Sequence, residues 1–240
     1  MSGPRIDTAM VLAAGLGTRI RALDASRPKP LIEVGGRALI DHALDALAAG
    51  GVTRAVVNVH HMADRIEDHL APRERPAIVF SDERSRLMET GGGLVQASPL
   101  LGEGPVFCTN TDAILEAGPS GSPVARLAGA WDDEAMDALL LLVPREETSG
   151  YAGPGDFALG ADGRVSWPED REGRPVFTGL QIVSPRLWAD RPAEPVSTKL
   201  FWDDAMARGR LFGLLHDGFW MHVGDPAGHA AAEARLGRAG

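Results

Sequence analysis

Hydrophobic and polar positions follow two different patterns along this chain. In the first half, short continuous apolar runs recur: Ala9–Ala14, Val106–Thr109 and Ala138–Val143 (ALLLLV). Runs of this length between turn residues predict strands buried inside a sheet. Arg54–Val59 (RAVVNV) and Ala77–Phe80 add two more. Between the runs the spacing becomes helical. Leu39–Gly50 places Leu39, Ile40, Ala43, Leu44 and Leu47 on one face and stops at Gly50-Gly51. Met62–Leu70 predicts a short helix with Ile66 and Leu70 inward, Gly93–Ala97 a helix start, and Pro123–Trp131 a further helix. Buried strands alternating with helices predict an α/β fold, a doubly wound and mostly parallel sheet. Such sheets take ligands at the carboxyl ends of their strands.

After Pro144 the pattern changes. Phe157–Leu159, Val165–Trp167 and Val176–Val183 read as short strands, with turns such as Ala161-Asp162-Gly163-Arg164 between them. Pro195–Arg208 reads as a helix, Arg210–Leu215 and Trp220–Val223 as strands, and Pro226–Leu236 as a closing Ala-rich helix. No internal repeat or low-complexity linker interrupts the chain. The expectation is one structural domain over residues 1–240, with lobes at about 8–143 and about 144–236 that share one sheet. Trp131, Trp167, Trp188, Trp202 and Trp220 show no periodic stripe and are expected in the core or between the lobes.

Composition narrows the function classes. No apolar run is long enough to span a membrane. The N-terminal MSGPRID lacks the charged-then-apolar pattern of a secretion signal, and the single Cys108 cannot pair within the chain. A reducing cytoplasm is therefore expected. The net charge of −9 disfavours a nucleic-acid backbone as partner. A polyanionic ligand must then be held by local cations, and the chain has only two lysines, Lys29 and Lys199.

The strongest candidate for that task is the stretch Val11–Glu33. The apolar run Ala9–Ala14 breaks into Gly15-Leu16-Gly17-Thr18-Arg19, and Lys29 follows between Pro28 and Pro30. Glycines let a loop turn its N–H groups toward an anion as a concave nest. Arg19 can fork onto two phosphate oxygens, while Lys29 is a point charge. Pro30 is expected to keep Lys29 extended and out of a helix. The P-loop pattern GxxxxGK[ST] is absent, and Ile20 stands where the third glycine of GxGxxG would be. The reading is a triphosphate held by a glycine-rich loop and two cations.

The full string LAAGxGTRxxxxxxxxPKPLxxVGG resembles the signature of the sugar-phosphate nucleotidyltransferases, with a likeness running from about Thr8 to about Leu236. These enzymes make NDP-sugars from an NTP and a sugar 1-phosphate. Within the family the nearest likeness is to members that join UTP to N-acetylmuramate 1-phosphate in bacterial cell-wall recycling. The resemblance implies a Rossmann-like sheet with a smaller antiparallel sugar-binding part. It implies Arg19 and Lys29 as catalytic cations, on the leaving phosphates and the α-phosphate. It places the nucleotide against Ala13, Ala14, Gly15, Gly17 and Thr18, and its base against Glu89, Thr90, Gly91 and Gly92 of the METGGG stretch. Glu83, in the acidic turn before it, is expected to brace that loop rather than touch ligand.

Asp112, just after the Val106–Thr109 strand, matches the family's metal carboxylate, and Mg²⁺ is the implied cofactor, with Mn²⁺ as substitute. The sugar side is implied to use Asn110, Gly155, Asp156, Thr178, Gly179 and Lys199. One departure stands out. The family ends its core with Trp-x-Asp-x-Gly, and here Trp220-Met221-His222-Val223-Gly224 puts His222 in the place of the second metal carboxylate. Imidazole is a poor Mg²⁺ ligand. Three arrangements are open: His222 binds the metal, His222 holds a metal-bound water or phosphate, or Asp225 reaches in from the next turn. Asp225 also reads as the N-cap of the helix after Pro226. His60 and His61 read as pocket lining. GTP with mannose or heptose 1-phosphate and CTP with phosphocholine are alternatives within the class. A binding module that has lost turnover is the alternative outside it.

Overall fold

The computed structural model describes residues 5–20 and 23–237. The strands are β1 (Thr8–Leu12), β2 (Glu33–Val34), β3 (Arg37–Ala38), β4 (Arg54–Val59), β5 (Ala77–Asp82), β6 (Val106–Asn110), β7 (Ala113–Leu115), β8 (Ala138–Val143), β9 (Thr148–Ser149), β10 (Ala158–Leu159), β11 (Val165–Ser166), β12 (Val176–Val183), β13 (Leu211–Leu215) and β14 (Trp220–His222). The helices are α1 (Leu39–Ala49), α2 (Ala63–Leu70), α3 (Glu89–Leu101), α4 (Pro123–Ala130), α5 (Thr198–Ala207) and α6 (Pro226–Leu236).

Seven strands form the central sheet in the order β13-β8-β12-β6-β1-β4-β5. All neighbours are parallel except β12, which runs antiparallel between β6 and β8. Because side chains alternate across a strand, each strand feeds two cores. Ala9 and Val11 of β1, Phe107 of β6 and Leu139 and Leu141 of β8 face one side, where α1, α2 and α4 pack. Met10, Cys108, Ala138, Leu140 and Leu142 face the other, where α3 and α5 pack. Every residue of β8 is buried, as its uninterrupted apolar run requires.

The α1 face is the predicted one: Leu39, Ile40, Ala43, Leu44 and Leu47 are its buried residues. Three expectations need correction. The helix at the METGGG stretch begins at Glu89, four residues before Gly93, because its glycines pack inside it. The helix expected from Pro195 begins at Thr198, since Ser197 is extended and caps it, and Val196 is engaged by α3: its N–H donates to Met88 O at 3.2 Å and its carbonyl accepts from Gly91 and Gly92. Trp167 is 40% exposed, stacked on Phe157 and donating to Asp203.

Strands from both halves of the chain interleave, as β12 lies between β6 and β8. Its register shifts between Phe177 and Gln181, where Gly179 adopts φ +93. A small second sheet, β7-β14-β9, stands beside the carboxyl end of β6. No helix among the described residues is long and apolar enough to cross a membrane.

Candidate active site

The loop after β1 forms one wall of a cavity of about 360 Å³ at the carboxyl ends of β1, β4 and β6. Leu12, Ala13, Ala14, Gly15, Gly17, Thr18 and Arg19 line it from β1, and Asn110, Thr111 and Asp112 from β6. Asn58 enters from β4, and Leu87, Glu89 and Thr90 come from the start of α3. The volume suits a small organic ligand.

Gly17 sits at φ +60, and a Cβ there would lie 2.7 Å from the Cβ of Lys29. The glycine-rich loop therefore packs directly on the lysine stem. Lys29 is not extended as Pro30 led us to expect. It opens a single 3-10 turn, Lys29–Leu31, with Pro30 buried inside it. The turn tolerates a proline because the first N–H groups of a helix have no internal partner. It aims Lys29 Nζ at Asp112 Oδ2, 2.7 Å away. Arg19 is exposed and has no ion-pair partner among the described residues.

Asp112 is held by the small sheet. β14 pairs with β7 so that His222 lies opposite Ala113, and Val223 N–H donates to the Asp112 carbonyl. This register sets His222 Nε2 3.5 Å from Asp112 Oδ2. Burial alone would push the Asp112 carboxyl up. The hydrogen bond from His222 and the charge of Lys29 outweigh it and hold the group well below the usual carboxylate range. Asp225 does not reach the site: it caps α6, accepting from Gly228 N–H at 2.8 Å.

An ionised carboxylate is the hard oxygen donor that Mg²⁺ prefers, and Mg²⁺ usually takes only one or two from protein while phosphates and waters complete its shell. Asp112 fits that role. Among the described residues no group of three or more His, Cys, Asp or Glu forms a self-sufficient metal site.

The structure separates the remaining sequence candidates into two groups. Glu89 and Thr90 line the cavity, and Glu89 adopts φ +63, uncommon for a residue with a Cβ. Thr90 Oγ1 also accepts from Thr198 N–H at 2.9 Å, fixing the start of α5. Gly91 and Gly92 lie outside the cavity. Their N–H groups donate to Val196 O, and a Cβ on Gly92 would meet the Glu194 carbonyl at 2.2 Å. They are small so that α3 can pack on the segment before α5.

Asn110 lines the cavity, but the other sugar-side candidates make contacts within the fold or lie on its surface. Asp156 accepts from Phe177 N–H at 3.0 Å, Tyr151 Oη at 3.1 Å and Arg171 at 2.8 Å. Gly155 packs on the Arg171 and Arg174 carbonyls. Thr178 donates to Leu141 O, and Gly179 packs on Asn110. Lys199 lies on the surface, bonded to Asp203 and stacked over Trp167. It departs from expectation because the start of α5 faces solvent there.

Asn58 was missed by sequence reading, as a lone polar residue in an apolar strand. It is 2% exposed, and its Oδ1 accepts from Ala13 N–H at 2.7 Å and Ala14 N–H at 3.3 Å. His60 Nδ1 contacts the Glu83 carbonyl at 2.7 Å.

The mainly parallel sheet with a cation-lined cavity at its strand ends defines an α/β protein that binds an anionic ligand where parallel sheets generally do. Residues 8–161 match the nucleotidyl transferase family. The chain is 50% identical over 96% of its length to the N-acetylmuramate alpha-1-phosphate uridylyltransferase of Caulobacter vibrioides, covering 97% of that protein. It is 33% identical to the enzyme so named in Neisseria meningitidis, over 95% of this chain and 98% of that one. Among solved structures, UDP-glucose pyrophosphorylase complexed with UDP-glucose superposes with a TM-score of 0.80 at 15% identity, over 98% of this chain and 100% of that one, a likeness of fold. The chain belongs to the nucleotidyl transferase family, and it is an enzyme that transfers a nucleotidyl group to a sugar 1-phosphate.

Proposed function

We propose that this enzyme transfers uridylate from UTP to N-acetylmuramate 1-phosphate and releases pyrophosphate. The observation that carries the choice of substrates is the 50% identity, nearly end to end, with the Caulobacter vibrioides uridylyltransferase. A phosphate oxygen of the sugar 1-phosphate attacks the α-phosphorus. The new P–O bond forms as the bond to the β-phosphate oxygen breaks, and pyrophosphate leaves with the electron pair. Such a transfer depends on positioning and charge neutralisation more than on covalent help.

In this reading the backbone N–H groups of the Gly15–Thr18 loop cradle the triphosphate. Arg19, exposed and without an ion-pair partner among the described residues, forks onto the leaving β- and γ-phosphates. Lys29 moves from Asp112 toward the α-phosphate, where charge develops. Asp112 would hold Mg²⁺, or Mn²⁺, which when bound would supply further charge neutralisation at the phosphates. His222 orients Asp112 by hydrogen bond instead of ligating the metal, which fits its place 3.5 Å from the carboxylate. The base lies between the Ala13–Ala14 side and the Leu87–Thr90 side, and Asn110 faces the sugar. The lone buried Cys108 thiol suits a reducing compartment, and the reading places the reaction in the cytoplasm.

The test is pyrophosphate release, with UTP, GTP, CTP, ATP and dTTP crossed against a panel of sugar 1-phosphates, first with Mg²⁺ and then with Mn²⁺. The expected result is release with UTP and N-acetylmuramate 1-phosphate well above every other pair. Preferred turnover of GTP with mannose 1-phosphate, or of CTP with a phosphorylated alcohol, would overturn the substrate assignment.

A further inference from the structure

Two buried polar side chains join the two walls of the cavity. Asn58 lies on β4, and Glu83 follows β5, the next strand, with its N–H continuing the ladder to Val59 O at 2.8 Å. They are 2% and 0% exposed. Asn58 Nδ2 donates to Glu83 Oε1 at 2.8 Å, and Met88 N–H donates to Glu83 Oε2 at 3.0 Å. At the other end, Asn58 Oδ1 receives the N–H groups of Ala13 and Ala14. The relay therefore runs from the start of the glycine-rich loop to the residue before Glu89 and Thr90. Both segments line the ligand cavity.

The relay has one polarity from end to end. Backbone N–H groups only donate, so Asn58 must turn its carbonyl to Ala13 and Ala14. Its amide NH₂ then faces Glu83, which must accept at both oxygens. A buried polar group left without its partner is costly, so the orientation is strongly fixed. Gly93 belongs to the same construction. A Cβ there would lie 2.9 Å from Glu83 Oε1 and 3.0 Å from Asn58 Nδ2, so α3 rests flush on the pair.

We propose that Asn58 and Glu83 are positioning residues that set the spacing and aim of the two nucleotide-binding walls. The proposal rests on the reading of the cavity as the nucleotide site.

The test exploits the polarity of the relay. In Glu83→Gln one side-chain atom becomes a donor and meets another donor, at Asn58 or at Met88. In Asn58→Asp two carboxylates face each other. The double variant Asn58→Asp/Glu83→Gln restores every pairing: Asp accepts from Ala13, Ala14 and the Gln amide, and the Gln carbonyl accepts from Met88. Binding of UTP with Mg²⁺ is measured by calorimetry, and KM is measured for each substrate. Each single variant is expected to weaken UTP binding by about tenfold or more while KM for the sugar phosphate moves less than about twofold. The double variant is expected within about threefold of the wild-type Kd. A general loss of folding would move both substrates alike. If a single variant fails to fold, the folded double variant still decides by its Kd.

A double variant that binds no better than the weaker single, or single variants that bind like wild type, would overturn the proposal. If the wild-type enzyme binds no nucleotide, the functional reading has failed instead. The amide resonances of Ala13, Ala14 and Met88 then test the relay alone: they should shift in each single variant and return in the double. Unmoved resonances would overturn it.

Discussion

Replacing Lys29 by methionine removes a charge while keeping the stem that Gly17 packs against. Its ammonium lies 2.7 Å from Asp112 Oδ2, which at an effective dielectric of about 20 is about 6 kcal/mol of gross attraction. Most of that is offset by the water both groups give up. The two side chains are 14% and 24% exposed, which puts the pair between surface and buried cases. Exposed pairs contribute about 0–1 kcal/mol and broken buried ones cost about 3–5, so a net coupling of about 1–2 kcal/mol is expected. Urea unfolding of wild type, Lys29→Met, Asp112→Asn and the double variant measures this coupling as a cycle. Catalysis should suffer more, because a preorganised charge at the reacting phosphate is worth about 100- to 1,000-fold in turnover. Pyrophosphate release at saturating substrates measures that loss. Turnover reduced less than about fivefold, or a coupling indistinguishable from zero, would refute the reasoning.

Other expectations test separate parts of the structure. Arg19→Ala should lower turnover by at least about 100-fold and leave the thermal midpoint unchanged, since the side chain is exposed and has no ion-pair partner among the described residues. Lys199→Ala should leave turnover within about twofold of wild type, because the side chain is 57% exposed and bonded to Asp203; a larger loss would return it to the site. Burial pushes the Cys108 thiol up to about 12, so iodoacetamide should label it only as fast as the protein unfolds, and rapid native labelling would contradict its burial. Burial lowers the pKa of His216 from 6.5, so the folded state binds that proton less well than the unfolded state. Stability should then fall as pH drops below about 6.5, by at most about 1.4 kcal/mol per pH unit, and His216→Gln should flatten the dependence of the urea midpoint on pH.

What the sequence disclosed depended on the range of the interaction. The α1 face was legible because Leu39, Ile40, Ala43, Leu44 and Leu47 follow the helical period by themselves. β8 was legible because six consecutive apolar residues admit little else. The Asp225 cap was legible from local chemistry. The start of α3 was not, since a Gly-Gly-Gly run reads as a loop until its backbone finds Val196, over a hundred residues later. Glu83 was legible as a brace of the loop before α3, but its partner Asn58 was not, since the two are 25 residues apart and meet only when β4 and β5 pair. The likeness to a family marked positions such as Gly91, Asp156 and Lys199, but it said nothing about whether their side chains or amides were already occupied within the fold.

The place of β12 in the sheet affects how the chain can be made. β5, β4, β1 and β6 have all their mutual partners once residue 110 has been synthesised. β8 follows at residues 138–143, yet it never touches β6. It reaches that sheet only through β12, completed at residue 183. A nascent chain that has left the ribosome only to the end of β8, residue 143, therefore carries an open edge on β6 and an unpartnered, wholly apolar β8. Open edges and exposed apolar strands recruit other chains. Fragments cut near residue 143 should aggregate rather than assemble from two self-sufficient halves, so in this enzyme the end of β8 is a poor place to divide the polypeptide.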